Sequence, residues 1–354
     1  MKNTMKIILV VLTSFALNSI AVAGALSVSG GATARYQILS GNSASASNNL
    51  DKGIGLTNEF TLSASGELDN GMSWAYALDL DPSGNDVIYD DAKLTLTSDS
   101  LGTFGLFIHE GSLGTKYGWD TSAYGVATDT GDGGGMIYAG NISSYDNFQY
   151  HLPSGVLPLG GSVKVAYSPT GQAQYSSGGT ATLNTGSAAY DVTQTQVKFA
   201  PIDGLDVGAD YQEVTANAAM QKGEEGSYYI KYTMGAVSVG YGKSYKAAVI
   251  NSLTDGYTAA KDTALSGYES IENKSMGIGF AVNDDFSVSY TKEESTPNAM
   301  TAGTTTYEME VTSIQASYTM GGMTFFVSQD SMDNTDYVQN QDETETLVGM
   351  TISF

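Results

Sequence analysis

Apolar and polar residues alternate with a period of two in short runs along nearly the whole chain, and this feature limits the fold more than any other. From Leu26 to Ile38 the even positions read Leu, Val, Gly, Ala, Ala, Tyr, Ile. The odd positions read Ser, Ser, Gly, Thr, Arg, Gln. A β-strand sends successive side chains to opposite faces, so such a run has one apolar and one polar face. The next run repeats the pattern, with Leu56, Phe60, Leu62, Ala64 and Leu68 against Thr57, Glu59, Thr61 and Ser63. Asn58 breaks the apolar row. Further runs follow to the last, Val348, Met350, Ile352 and Phe354. They add up to sixteen predicted strands. The sixth (Phe148, Tyr150, Leu152) and the eighth (Val197, Phe199) are the least marked, so fourteen and eighteen stay open.

The connections sort by length. After even-numbered strands they are short, near Asp69, Asp99, Pro153, Pro201, Gly235, Asn283 and Gly321. After odd-numbered strands they are usually long, as at 40–55, 110–146, 168–191 and 246–270. Short turns on one rim and long loops on the other are the layout of a transmembrane antiparallel β-barrel. A soluble sandwich has no reason to sort its loops this way. Lipid cannot satisfy free backbone N–H and C=O groups, so a spanning sheet must close on itself. At sixteen strands the interior is too wide for side chains to fill and holds water. The 23 Tyr, many at strand ends such as Tyr36, Tyr76, Tyr167 and Tyr290, suit a membrane interface, where the ring is buried and the hydroxyl stays wet.

The N-terminus reads as an export signal. Lys2 and Lys6 precede an apolar run, Ile7 to Leu17, and Ala21-Val22-Ala23 is a small-residue cleavage site. Residues 1–23 are expected to be removed, leaving a barrel domain over 24–354 in the outer membrane of a Gram-negative-type bacterium. Charge excludes one class of partner. Against 38 Asp plus Glu stand 15 Lys plus Arg, a net charge of −23, so nucleic acid is not expected. Cysteine is absent, which removes disulfide and thiol chemistry.

Several segments resemble the general diffusion porins of Gram-negative bacteria, especially those of alphaproteobacterial type. They are the opening Val28-Ser29-Gly30-Gly31-Ala32-Thr33-Ala34-Arg35-Tyr36, the turn Gly66-Glu67-Leu68-Asp69-Asn70-Gly71, and the terminal Phe354. The resemblance implies a homotrimer, outer-membrane lipid and lipopolysaccharide as surroundings, and Phe354 as the tag read by the barrel-assembly machinery. It also implies that the third long loop, about 110–146, folds inward and narrows the pore. That loop carries Asp120, Asp129 and Asp132 as candidate constriction residues. Their alternative reading is as ordinary loop residues beside glycine. By parity Glu59 and Asp79 line the lumen, and so do the bases Arg35, Lys93 and His109, a thin basic patch where such porins often have a fuller one. The second loop, Asp81 to Asp86, is short, which argues against a latch over a neighbouring subunit.

The function expected is passive diffusion of small hydrophilic solutes and ions, with a preference for cations, and no enzymatic step. No catalytic residues or metal site are assigned, and no cofactor is expected. His109 and His151 sit in no recognisable hydrolase, zinc or phosphate-loop motif. The surplus acids Glu224, Glu225, Glu293, Glu294, Asp330, Asp333, Asp336 and Asp342 are read as external-loop residues. There they either keep the surface soluble or hold Ca²⁺ or Mg²⁺ against lipopolysaccharide. A barrel hydrolase, or an adhesive or structural surface barrel, is the alternative.

Overall fold

Every strand in this chain hydrogen-bonds to a neighbour on each side, which satisfies the backbone without an edge. In the computed structural model, sixteen antiparallel strands close into one barrel in which each pairs with the next and β1 with β16. The structure describes residues 24, 26–42, 51–83, 86–169, 191–215, 222–247, 268–301 and 303–354. The expected export signal and parts of the long loops lie outside these. The strands are β1 (Ser27–Gly41), β2 (Asp51–Glu67), β3 (Ser73–Ser83), β4 (Asp86–Ser98), β5 (Gly102–Ile108), β6 (Asn147–His151), β7 (Ser162–Ser168) and β8 (Asp191–Ile202). They continue as β9 (Leu205–Thr215), β10 (Gly223–Met234), β11 (Val237–Ala247), β12 (Tyr268–Ala281), β13 (Phe286–Ala299), β14 (Met309–Met320), β15 (Met323–Asp333) and β16 (Glu343–Ser353).

The predicted count of sixteen agrees, including the two least marked strands. The seam is closed by register from Gly31↔Ser353 to Gly41↔Glu343. Beyond it, Gly30 N–H donates to the Phe354 carbonyl at 2.9 Å and Phe354 N–H returns to Gly30 at 3.0 Å. The C-terminal residue thus completes the ladder, with its ring 5.7 Å from that of Phe60. Tight turns form where the sequence marks them. Gly71 (φ 78°) follows Asn70, and Gly235 (φ 59°) joins β10 to β11. Both occupy the left-handed region that glycine enters without steric cost.

The two faces are inverted relative to a water-soluble protein. The large apolar side chains point outward and stay exposed, among them Ile54 at 87 %, Ile314 at 64 % and Leu56 at 63 %. Gln194, Gln212, Gln315 and Glu345 point inward and are buried. An apolar band around a polar interior is what a barrel surrounded by lipid requires.

Two sequence expectations need correction. The surplus acids are not all on external loops. Glu224 and Glu225 belong to β10, Glu293 and Glu294 to β13, and Asp330 and Asp333 to β15. Only Asp336 and Asp342 fall in the link from β15 to β16. Glu225, Glu293 and Asp330 face inward and are buried. The strands on this side of the barrel run past the apolar band, so pairs such as Glu293-Glu294 read like loop sequence although the ladder continues through them. Outward Glu294 pairs with Lys274 across β12 and β13 and with Lys292 along its own strand, both at 2.8 Å, and Lys292 reaches Glu310 on β14 at 2.9 Å. The second correction concerns Asp81, which is in β3, paired with Ile88. Pairing continues to Ser83↔Asp86, so the second connection is shorter than predicted.

Candidate functional site

The barrel has its apolar core inside, where the long segment between β5 and β6 lies against the inner wall. His109 (φ 49°) and Gly111 (φ 83°) turn the chain inward at its start. Buried Leu113, Ile142 and Ala166 then pack with Val192 and Val214, while Trp119 and Val126 pack with Tyr229. Ala127 joins Ile271, Met309, Val311, Met332 and Tyr337. These apolar wall residues face inward because the loop, rather than water, covers them.

Polar contacts fix the loop along the wall from β8 to β16. Asp210 Oδ1 accepts from the Thr115 N–H at 2.7 Å and its hydroxyl at 2.9 Å, while Oδ2 accepts from Gln194 Nε2 at 2.8 Å. Ala123 N–H donates to Ser289 Oγ at 2.7 Å, and Tyr124 N–H to Gln315 Oε1 at 3.0 Å. The Tyr124 ring stacks on Phe326 with centroids 3.5 Å apart and planes 7° from parallel. Glu293 accepts from the Thr128 hydroxyl at 3.0 Å and from the Tyr138 hydroxyl. Asp132 N–H donates to Glu345 at 2.9 Å, Gly140 N–H to Glu225, and Ile142 N–H to Gln194 at 2.8 Å. Inward carboxylates and amides of the wall therefore satisfy backbone donors of a non-repetitive loop, which would otherwise be buried without partners.

Glycines on the wall give the loop its closest approach. A Cβ at Gly240 would lie 1.8 Å from the Trp119 carbonyl oxygen. One at Gly279 would lie 2.4 Å from the Thr121 carbonyl oxygen, and one at Gly242 2.5 Å from Trp119 Cδ1. Gly240 pairs with Gly277 across β11 and β12, so the seat of Trp119 is bare backbone.

The loop leaves another part of the wall open. Thr57 and Glu59 on β2 and Ala75 on β3 face inward and are exposed, whereas Asn273, Ser289, Thr291 and Ser328 on β12, β13 and β15 are buried. The open stretch of wall thus lies at β2 and β3.

The predicted site residues divide across this geometry. Asp129 and Asp132 are exposed. Asp129 sits in the single helical turn α1 (Ala127–Thr130), and Asp132 receives the Gly134 N–H at 3.3 Å. Asp120 lies apart from them. Its carboxylate accepts from the Ser122 N–H at 2.8 Å and hydroxyl at 2.6 Å, at the edge of a cavity of about 310 Å³ that Lys231, Thr233 and Ser287 also line. Glu59 faces inward opposite Gly31, and Asp79 opposite Thr61. The thin basic patch is engaged with the loop. Arg35 Nη1 donates to the Thr130 carbonyl, the C-terminal end of α1, at 3.0 Å, and Lys93 pairs with Glu110 at 2.8 Å. His109 stands at the loop's root beside Asp146. Burial is the main cause that raises the Asp146 carboxyl above the usual range. Within the loop, burial lowers Lys116, whose ammonium lies 4.8 Å over the Tyr117 ring. Burial, then Glu293, pushes the Tyr138 hydroxyl well up.

Sequence reading missed the buried wall acids Asp210, Glu225, Glu293 and Glu345, and the inward bases His151, Lys164, Lys198 and Lys231. The bases had a signal. Lys164 lies between Val163 and Val165, Lys198 between Val197 and Phe199, and Lys231 between Ile230 and Tyr232, each at the polar phase of an apolar run. Among the described residues no group of three or more His, Asp or Glu side chains is placed to hold a metal ion.

No family model matches the sequence, and no curated protein matches it. Solved structures do resemble the fold. The anion-selective porin of Comamonas acidovorans superposes with a TM-score of 0.64 at 10 % identity, covering 94 % of this chain and 100 % of that one. OmpF of Salmonella typhi, in a complex with daunomycin, gives 0.64 at 14 % identity, with 95 % and 100 % covered. OmpT, an outer-membrane protein of Vibrio cholerae in a trimer form, gives 0.62 at 12 % identity, with 94 % and 100 % covered. At these identities the likeness is one of fold: this chain has the closed sixteen-strand barrel of outer-membrane porins.

Proposed function

We propose that the chain is an outer-membrane channel through which small hydrophilic solutes and ions diffuse passively. One observation carries the reading: the barrel is apolar outside and polar inside, and a loop lies against the interior while the wall at β2 and β3 stays open. Water fills such an interior, and the loop takes up part of its width. The short-turn rim then faces the periplasm and the long-loop rim the exterior. Nothing in this reading requires a chemical step.

Charge supports a preference for cations. Asp129 and Asp132 on the loop, and Glu59 on the facing wall, are exposed acids beside the open passage. Of the two wall bases, Lys93 is neutralised by Glu110, while Arg35 is turned onto the Thr130 carbonyl and keeps its charge, one base against three exposed acids. Carboxylates in a narrow aqueous channel attract cations and lose that hold as salt screens them. Trimer assembly, processing after Ala23, recognition of Phe354 by the assembly machinery and contact with lipopolysaccharide belong to the same proposal. The trimer draws support from the Vibrio cholerae protein, and the alphaproteobacterial likeness rests on the sequence segments alone.

Purified protein in a planar bilayer tests this reading. Large ohmic steps and a reversal potential of cation-preferring sign under a salt gradient are expected, the latter shrinking at high salt. Insertion with no current overturns the channel, and an anion-preferring sign overturns the selectivity.

A further inference from the structure

The inner wall carries a group of bases that the loop does not use. Registers place them side by side. His151 on β6 is paired with Lys164 on β7, and Lys164 with Gln196 on β8, one inward position from Lys198. Neighbouring strands are about 4.8 Å apart, so the three side chains share a patch roughly 10 Å wide. His151 and Lys164 face each other directly across β6 and β7, and Lys198 stands on the diagonal from Lys164. All three are half-buried.

None of the three has an acidic partner among the described residues. The ion pairs among the described residues involve Lys93, Lys222, Lys246, Lys274 and Lys292, and the His151 Nε2 donates to the Gln149 amide oxygen at 2.8 Å. Lys198 extends over the Tyr229 ring, with its ammonium 5.9 Å from the centroid. Asp206, the nearest acid by register, lies opposite Lys231 and accepts the Tyr229 hydroxyl at 2.9 Å. Above the patch the root of the loop is tied down, with Gln196 Nε2 donating to the Leu113 carbonyl at 2.8 Å and Gln149 Nε2 to the Gly111 carbonyl at 2.5 Å. The patch therefore sits directly on the short-turn side of the loop, under a fixed roof.

Placing adjacent like charges without counter-charge is unfavourable by itself. It is the more unusual in a chain with 38 acidic and 15 basic residues. An anion seated between the bases relieves the repulsion. With His151 directly opposite Lys164 and Lys198 on the diagonal, about 5 and 7–8 Å away across the sheet, two ammonium groups and an imidazole suit a compact oxyanion with several acceptor oxygens. We propose that His151, Lys164 and Lys198 form a binding site for the phosphate group of small phosphorylated solutes, on the periplasmic side of the loop. This inference rests on the channel reading for its role in transport, but the site itself does not. Acids line the passage beside the loop and bases wait below it, so a solute bearing both charges meets a favourable partner at each step.

Inorganic phosphate is the probe, read in two ways. In detergent, the phosphorus NMR line of phosphate broadens with added protein, and the K164Q/K198Q variant weakens this binding about tenfold through the loss of two nearby charges. In bilayers at low salt, phosphate reduces the single-channel current saturably, with the half-effect concentration about tenfold higher in the same variant. Lys243→Gln, in the outward row of β11, leaves both readouts at the wild-type value. Broadening without any current keeps the site and removes the channel. Current with no broadening, or equal broadening by wild type and K164Q/K198Q, overturns the site.

Discussion

Gly240→Ala is the smallest change that tests whether the loop is seated on bare backbone. The added Cβ would lie 1.8 Å from the Trp119 carbonyl oxygen, 2.8 Å from its carbonyl carbon and 3.2 Å from its Cα. A carbon–oxygen contact settles near 3.3 Å, so the segment around Trp119 must move off the wall by about 1.5 Å. The obstacle is main chain and cannot rotate away. Trp119 itself is fully buried, so the shift also opens space under its ring. Overpacking of this kind costs about 1–3 kcal/mol. Movement off β11 is movement into the lumen, and the expected result is a lower single-channel conductance together with a loss of about 1–3 kcal/mol in denaturant unfolding from detergent. Gly53→Ala is the control, because a Cβ there meets nothing within 4 Å, and it should leave both measurements unchanged. If G240A conducts and unfolds as wild type does, the loop does not rest where the glycines place it. A rise in conductance would equally contradict displacement into the passage.

Other perturbations probe different parts of the same construction. Asp210→Asn keeps shape but turns one acceptor oxygen into a donor facing Thr115 or Gln194, and should cost about 1–3 kcal/mol, with faster amide exchange at 113–119. Tyr117 and Tyr138 are held protonated above the usual phenol range, chiefly by burial. Their raised values stabilise the folded loop fully below the unfolded pKa near 10, and this contribution is lost as pH rises beyond it. Wild type should therefore lose stability in strong base more steeply than the Y117F/Y138F variant, as followed by unfolding at graded alkaline pH. Ile230→Lys puts a charge in the middle of the outward apolar row of β10, where Ile230 is 46 % exposed, and should reduce the folding free energy in lipid vesicles by about 2–4 kcal/mol. An unaffected I230K would mean that this face does not meet lipid.

The fold was legible because its cause is local. Each strand needs only a residue's own position parity, and a closed sheet with lipid outside makes that parity visible even in a chain of ordinary hydropathy. Val163, Val165 and Tyr167 mark β7 without reference to any tertiary contact. The loop's seat was not legible, because parity says which face a residue takes but not what covers it. Ile271, Met309 and Met332 are apolar residues at inward phase, and they make sense only once Ala127 and Tyr337 pack on them. Glu225 and Glu293 look like surface acids until Gly140, Thr128 and Tyr138 are found donating to them. The bases show the same limit from the other side. Parity alone makes Arg35 and Lys93 a positive patch on the inner wall, yet the loop contacts both. Lys164 and Lys198, equally inward, stay without a carboxylate because the loop turns away above them at Gly111 and Leu113. The charges a solute meets are those left over after the loop has been anchored. On the channel reading, selectivity is therefore a residue of packing, and a substitution that frees Arg35 or Lys93 from the loop should alter it as surely as one that removes a charge from the open wall.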